Sequence, residues 1–331
     1  LYEIVMKLIK SFKALRPTKG KENDVIAPPY DVLNSSEARE MAKNKPFSFL
    51  HVSKPEIDLD PEIEFNNPSV YEKGEENLKE LINKKILIQD DKECLYVYEI
   101  FLNGISQTGV GCVASVEAYE KNLIKKHEYT KPEKEDDRVN NIIKLNAQTG
   151  PVLLAYKNNN EISKFLNKVK NENPTYNVIA HDNSNHKIWI VEDNRRIKEI
   201  LDEINSMDSL FIADGHHRSA AALRVKKELS KKNIEVASGE GSLFAVGDII
   251  ILDWMLPNVS GIELIRQIKS GKKTKSIPYF SAILAAIDLI PNLNGCIGCN
   301  KFWKASLANN EEILPLGEKS ILSKPAISIQ A

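Results

Sequence analysis

The sequence predicts a mixed α+β fold, and three observations carry the prediction. Segments of strand length rich in Val, Ile and Tyr, such as 95–102 and 109–116, are interleaved with segments of helical period, such as 71–87 and 219–229. No internal repeat or heptad interrupts this mixture. The chain of 331 residues, 42% hydrophobic and 27% charged, has an ordinary globular composition.

Residues 6–33 read as extended, because Pro17, Pro28 and Pro29 each bias the preceding residue away from helix. Ser35 or Ser36 is the expected N-cap of the helix that follows, with Glu37 in its first turn. Residues 47–52 read as a short strand. Residues 71–87 are expected to be helical, with Leu78, Leu81 and Ile82 on one face. The strands 95–102 and 109–116 flank Asn103-Gly104, a hairpin turn pair. A helix at 136–147, a strand at 152–156 and a helix at 162–169 come next. Strands at 177–180 and 187–191 surround a polar turn. A helix at 197–204, an apolar strand at 210–213 and a helix at 219–229 complete this stretch. Beyond about residue 232 the composition shifts. Residues 237–242 form a Gly/Ser-rich connector, 249–252 have the apolar run of a buried strand, and 262–270 read as an amphipathic helix. No sustained period follows residue 279.

With 45 basic and 46 acidic residues, the formal net charge of -1 carries no electrostatic footprint for nucleic acid or for an anionic membrane, so neither is expected as a partner. Four cysteines are too few for a disulfide scaffold, and no secretory signal or apolar run of about 18 residues is present. A cytoplasmic protein is the expectation. The chain opens on Leu1, and Met6 with its following residues reads as a natural start, so 1–5 read as read-through. Arginine is scarce, eight against 37 lysines. Each arginine is therefore informative, because its planar fork grips a carboxylate or phosphate at two points.

The sharpest constellation is Asp214-Gly215-His216-His217-Arg218, between an apolar strand and an Ala-rich helix. Anion sites form at such junctions, where the first helical N–H groups are unpaired and the helix dipole is positive. Asp214, at the strand end, is placed to orient a histidine, bind a metal or take a proton. A second cluster, His127-Glu128-Tyr129-Thr130-Lys131 followed by Asp136-Asp137-Arg138, also fits a charged loop leading into a helix. A third, Ala27-Pro28-Pro29-Tyr30-Asp31 after Arg16-Pro17, also fits a rigid turn.

Together with Glu37-Ala38-Arg39 and Ser48-Phe49-Leu50-His51-Val52, these clusters occur in an order that resembles an uncharacterised bacterial DUF family bearing the D-G-H-H-R signature. That family is similar to the free serine kinases and to the nucleotide-binding ParB N-terminal superfamily. The resemblance covers about residues 6–232. It implies nucleotide-dependent phosphotransfer to a small hydroxyl substrate, using ATP or ADP with Mg²⁺. Asp214 would be the base or a Mg²⁺ ligand, and His216 and His217 would share the catalytic loop. Gly215, Arg218, His127, Glu128, Asp137, Arg138, Tyr30, Asp31 and Arg16 would bind substrate and phosphate. A basic loop suits phosphoryl transfer, which depends on positioning and charge neutralisation. The family is longer than this segment, so its C-terminal part is expected to be missing here. A non-catalytic nucleotide-binding switch is the alternative within the same superfamily.

Residues 248–278 are of a different character. The run Asp248-Ile-Ile-Ile-Leu-Asp253, with Pro257 and Gly261, resembles the phosphoacceptor strand and loop of an OmpR/PhoB-type response-regulator receiver, with Asp253 as phosphoacceptor and a histidine kinase as partner. The upstream acidic pair of a receiver is replaced by the D-G-H-H-R segment, Ser281 falls too early for the switch residue, and Lys324 falls too late for the conserved-type lysine. Little phosphoacceptor activity is therefore expected. Cys296 and Cys299 form only half a zinc site, and no zinc is expected. The organisation read from the sequence is thus read-through at 1–5, a truncated serine kinase/ParB-like domain at 6–232, a junction at 233–247, a receiver fragment at 248–278 and an unassigned tail at 279–331.

Overall fold

A computed structural model describes residues 6–157, 159–231 and 249–253, the last of these as a strand path. The chain opens with strands β1 (Ile9–Lys10) and β2 (Leu15–Pro17), a helical turn α1 (Glu22–Val25) and helix α2 (Ser35–Ala42). Helical turn α3 (Leu50–Ser53) leads into a 3-10 turn at Pro55–Asp58 and then helix α4 (Pro68–Asn83). Strands β3 (Leu87–Gln89), β4 (Leu95–Leu102) and β5 (Ile105–Ala114) follow, then α5 (Val116–Glu120), β6 (Ile124–Lys125) and α6 (Pro132–Leu145). The last stretch comprises β7 (Val152–Ala155), α7 (Asn160–Lys170), β8 (Tyr176–Ile179), β9 (Asn185–Val191), α8 (Asn194–Asn205), β10 (Leu210–Asp214), α9 (His216–Lys231) and β11 (Ile249–Asp253). The fold is mixed α+β, as the sequence predicts.

Nine strands form one sheet in the order β6-β10-β7-β11-β5-β4-β9-β8, with β1 paired to the end of β5. The β10–β6 and β11–β7 ladders are parallel, and the others are antiparallel. Strand β11 is hydrogen-bonded to β5 on one side and β7 on the other. Strands β2 and β3 make a separate two-stranded ladder. Helices α7 and α8 bury Phe165, Leu166, Ile197 and Ile200 against Val97, Val110, Leu154 and Ile212 of the sheet. Each such side chain contributes about 1.5–3 kcal/mol when fully buried. A smaller cluster of Val139, Ile142, Ala221 and Val225 joins α6 to α9. Among the described residues no helix is long and apolar enough to cross a membrane.

Local rules explain most boundaries. Asn103 and Gly104 both have positive φ, 52° and 82°, as the two-residue turn between β4 and β5 requires. Pro68 and Pro132 open α4 and α6 at the position where a missing N–H costs nothing.

Three expectations are corrected. Asn34, not Ser35 or Ser36, caps α2: its side chain accepts from Glu37 N–H while the Glu37 carboxylate accepts from Asn34 N–H. Residues 47–52 are not a strand, because Leu50–Ser53 is helical and buries Leu50 and Val52 beneath neighbouring helical segments. Helix α4 stops at Asn83, because Lys85 turns left-handed (φ 55°) and Leu87 begins β3 opposite Pro17. The expected helix at 262–270 and the tail lie outside the described residues.

Candidate functional site

Strand β10, an interior strand, carries Asp214 at its carboxyl end, and Gly215 turns the chain into α9 with φ of 97°. A Cβ at Gly215 would stand 3.1 Å from Val152 Cγ2 and 3.3 Å from both Arg218 Nε and Val152 Cα. Glycine is therefore required twice over, for conformation and for space. Ser219, wholly buried, donates its hydroxyl and its N–H to Gly215 O, which closes the first turn.

Arg218 staples this loop to the sheet. Its Nη2 donates to Asp214 Oδ2 at 2.6 Å, and its Nη1 donates to Pro151 O. The side chain is 13% exposed and lies over Gly150, whose Cβ position is 3.2 Å from Arg218 Cδ. Gly150 is a site residue that the sequence reading missed. The signal available was Gly-Pro just ahead of an apolar strand.

The two histidines of the motif differ. His216 is 4% exposed and packs edge-on against His127, with ring centroids 4.4 Å apart. The N–H of His127 donates to His216 Nε2 at 3.4 Å, so the ring proton sits on Nδ1, 3.6 Å from Glu128 Oε2. Burial, then His127 and His217, pushes the His216 pKa down to about 3. His216 is thus neutral, and its approach to Glu128 is a polar contact rather than an ion pair. His127 is also lowered by burial. His217 is half-exposed, and its Nε2 accepts from Lys131 N–H at 3.1 Å.

Helix α6 brings the second cluster. Arg138 Nε donates to Asp137 Oδ2 at 2.8 Å, and the guanidinium carbon lies 4.1 Å from the centroid of the Tyr30 ring. Tyr71 donates to Asp137 Oδ1 at 2.9 Å and has its pKa pushed up to about 12 by burial and by Asp137. Tyr71 was not singled out in the sequence either, because it looks like one more apolar-face residue of α4. Burial raises the Tyr30 pKa, Arg138 and Arg218 pull it down, and Asp31 and Asp137 add to the rise. Tyr30, Asp137, Arg138, Asp214 and Arg218 therefore share one electrostatic neighbourhood, although three distant segments supply them. Asp31 is exposed at its rim.

Arg16 is not part of this neighbourhood. Its Nε donates to Asp90 Oδ1 at 2.7 Å and its Nη1 to the Tyr176 hydroxyl at 2.6 Å, so it ties β2 to the β8 edge. Arg39 likewise serves structure, donating to the carbonyls of Glu56, Ile57 and Leu59. Asp253 ends β11 in register with Leu154, while Asp214 is in register with Leu153 on the other side of β7. The remaining receiver residues, Asp248 and 254–278, lie outside the described residues, as do Cys296 and Cys299.

Arg218, in the first turn of α9, and Arg138 both act on Tyr30, and these two guanidinium groups with the N-terminal N–H groups of α9 are what the phosphates of a nucleotide would meet. Among the described residues no group of three or more His, Cys, Asp or Glu could hold a metal ion. Mg²⁺ fits only as a phosphate-borne ion with Asp214 as a single protein ligand. A family model described as a protein of unknown function, DUF1015, matches residues 9–246. Nothing matches among curated proteins or among solved structures.

Proposed function

The chain belongs to the DUF1015 family, and from that premise we propose that its D-G-H-H-R site performs nucleotide-dependent phosphoryl transfer to a small hydroxyl substrate in the cytoplasm. The observation that carries the reading is the meeting of Tyr30, Arg138 and Arg218 beside the first turn of α9. A phosphoryl group needs several fixed donors around its equatorial oxygens, and this neighbourhood supplies them from rigid elements. Asp214 is the carboxylate for the substrate hydroxyl proton, and Arg218 holds it in one rotamer. His216, neutral and locked by His127 and Glu128, shapes the loop, while the half-exposed His217 and Arg138 face the phosphates.

The test incubates the protein with ATP or ADP, Mg²⁺ and candidate hydroxyl compounds that include free serine, and follows the phosphorylated product. Asp214→Asn should abolish product while retaining nucleotide binding, and Arg138→Ala should weaken nucleotide binding. Absence of nucleotide binding by the wild-type chain would overturn the reading. Binding without product from any compound would convert it to the nucleotide-switch alternative. Labelling by acetyl phosphate, abolished in Asp253→Asn, would instead support the receiver reading.

A further inference from the structure

Tyr71 of α4 lies outside the motifs, and one hydrogen bond ties it to them. The residue is 8% exposed, and its hydroxyl donates to Asp137 Oδ1 at 2.9 Å. Asp137 Oδ2 accepts from Arg138 Nε at 2.8 Å and from Arg138 Nη2 as well. Asp137 and Arg138 are consecutive on α6, and neighbours of that kind point to different sides of a helix. Their pairing requires the arginine to fold back onto Asp137, and a carboxylate held from its other oxygen gives it a fixed target. Nη1 is the nitrogen of Arg138 without a hydrogen-bond partner among the described residues, and 14% of the side chain stays open to solvent. The Tyr30 ring covers one face of the guanidinium.

We propose that Tyr71 is a positioning residue of the phosphate site, acting through Asp137 to fix the guanidinium of Arg138 so that Nη1 alone meets the ligand. The inference rests on the phosphotransfer reading and gives that site a single-point contact at Arg138. With Nε and Nη2 held by Asp137, the edge that grips two oxygens side-on is already occupied. Asp137 also offsets the charge of Arg138, as Asp214 offsets that of Arg218. Arg138 therefore supplies a directed hydrogen bond more than a bare charge, and a donor fixed before the ligand arrives costs no reorganisation when charge develops. Its direction depends on the Tyr71 hydroxyl. Without that hydroxyl, Asp137 Oδ1 loses its donor, the carboxylate is free to turn, and the guanidinium turns with it. The same hydroxyl joins α4 to α6, and the experiment separates the two roles.

The experiment compares the full chain with Tyr71→Phe, which keeps the buried ring and removes the hydroxyl. The first readout is exchange of the Arg138 Nε–H proton with water, followed by NMR without ligand and assigned through Arg138→Lys among only eight arginines. Exchange should be about threefold to tenfold faster in Tyr71→Phe, the range of one hydrogen bond. The second readout is MgATP affinity by calorimetry. Tyr71→Phe should lower it about threefold to tenfold, and should lower it no further once Arg138→Ala is present, because the two residues act through one contact. Circular dichroism confirms that each variant is folded. Unchanged Arg138 exchange in Tyr71→Phe, or an equal loss of affinity with and without Arg138, would overturn the proposal and leave Tyr71 a staple between α4 and α6. A wild-type chain that binds no MgATP, with exchange accelerated in Tyr71→Phe, would overturn the phosphotransfer reading while upholding the hold on Arg138.

Discussion

At Gly215 a single methyl group has nowhere to go. Gly215→Ala adds a Cβ to a left-handed residue and drives it towards Val152 and Arg218. The conformational cost is about 1–2 kcal/mol and overpacking adds roughly 1–3 more. A urea denaturation series should show that loss, and a change below about 0.5 kcal/mol, the range of ordinary surface substitutions, would refute the steric account. Protonation acts at two other residues with opposite sign. Both ring nitrogens of His51 face acceptors, Asp58 Oδ1 at 2.8 Å and Lys45 O at 3.1 Å, so the ring is held as imidazolium. The hydrogen bond to Asp58 raises the His51 pKa. Burial pushes Asp58 up, but the hydrogen bonds from His51 and Asn77 and the charges of His51 and Lys73 together outweigh it and hold Asp58 low. The His51 contribution is thus complete below about pH 6.5 and fades as pH rises through its raised value, while that of Asp58 fades as pH falls below about 3.9. His216 behaves in reverse: its folded pKa of about 3 lies below that of the unfolded chain, so stability falls as pH drops from about 6.5 towards 3. Urea midpoints across pH 4–8 should show a shallower acid limb in His216→Asn and a weaker alkaline decline in His51→Gln. An acid limb in His216→Asn as steep as in the wild type would show that this ring is not the one titrating. The motif Asp214–Arg218 was legible as residues, because His, Arg and Gly at a strand-to-helix junction have few other uses. The commitment of Arg16 to Asp90 and Tyr176 was not, since both partners are remote in sequence and nothing local announces them.

Among the elements, β1 depends on a side chain as much as on a strand. Asn205, at the end of α8, accepts the N–H groups of Leu8 and Ile9 at Oδ1 and donates Nδ2 to Ile9 O. It ties the N-terminal strand to a helix nearly 200 residues later. Asn205→Ala leaves two partly buried backbone donors and one acceptor without this partner, and should cost about 2–3 kcal/mol. Hydrogen exchange at Leu8 and Ile9 should accelerate more than at β4, and equal acceleration at both would mean global rather than local loosening. The hairpin of β4 and β5 was readable because Asn103-Gly104 encodes its own turn. Helix α3 was misread because residues 47–52 are apolar over too short a span to distinguish periods. What decides in favour of helix is the surrounding contact with α4 and Pro55, which are tertiary.

The molecule as a whole rests on a sheet whose middle is filled late. Strands β5 and β7 have no ladder with each other, and β11 pairs with both. The strand itself was legible from its apolar run, as buried central strands are. Its neighbours were not, because strand partners are chosen by three-dimensional fit across the whole chain. A chain ended after residue 248 should exchange the amides of Cys112–Ala114 and Val152–Leu154 faster while leaving the β4–β9 ladder protected; unchanged protection on both flanks would show that β11 adds nothing to the sheet. The same order of strands bears on synthesis. A ribosome releases β5, then β7, and only after α9 releases the strand that belongs between them, so the nascent protein carries two exposed ladder edges while residues 156–248 are made. Non-local pairing of this kind is slow and leaves time for wrong partners. Yield in a cell should therefore respond to translation speed and to holding chaperones more than the equilibrium stability of the finished fold would suggest.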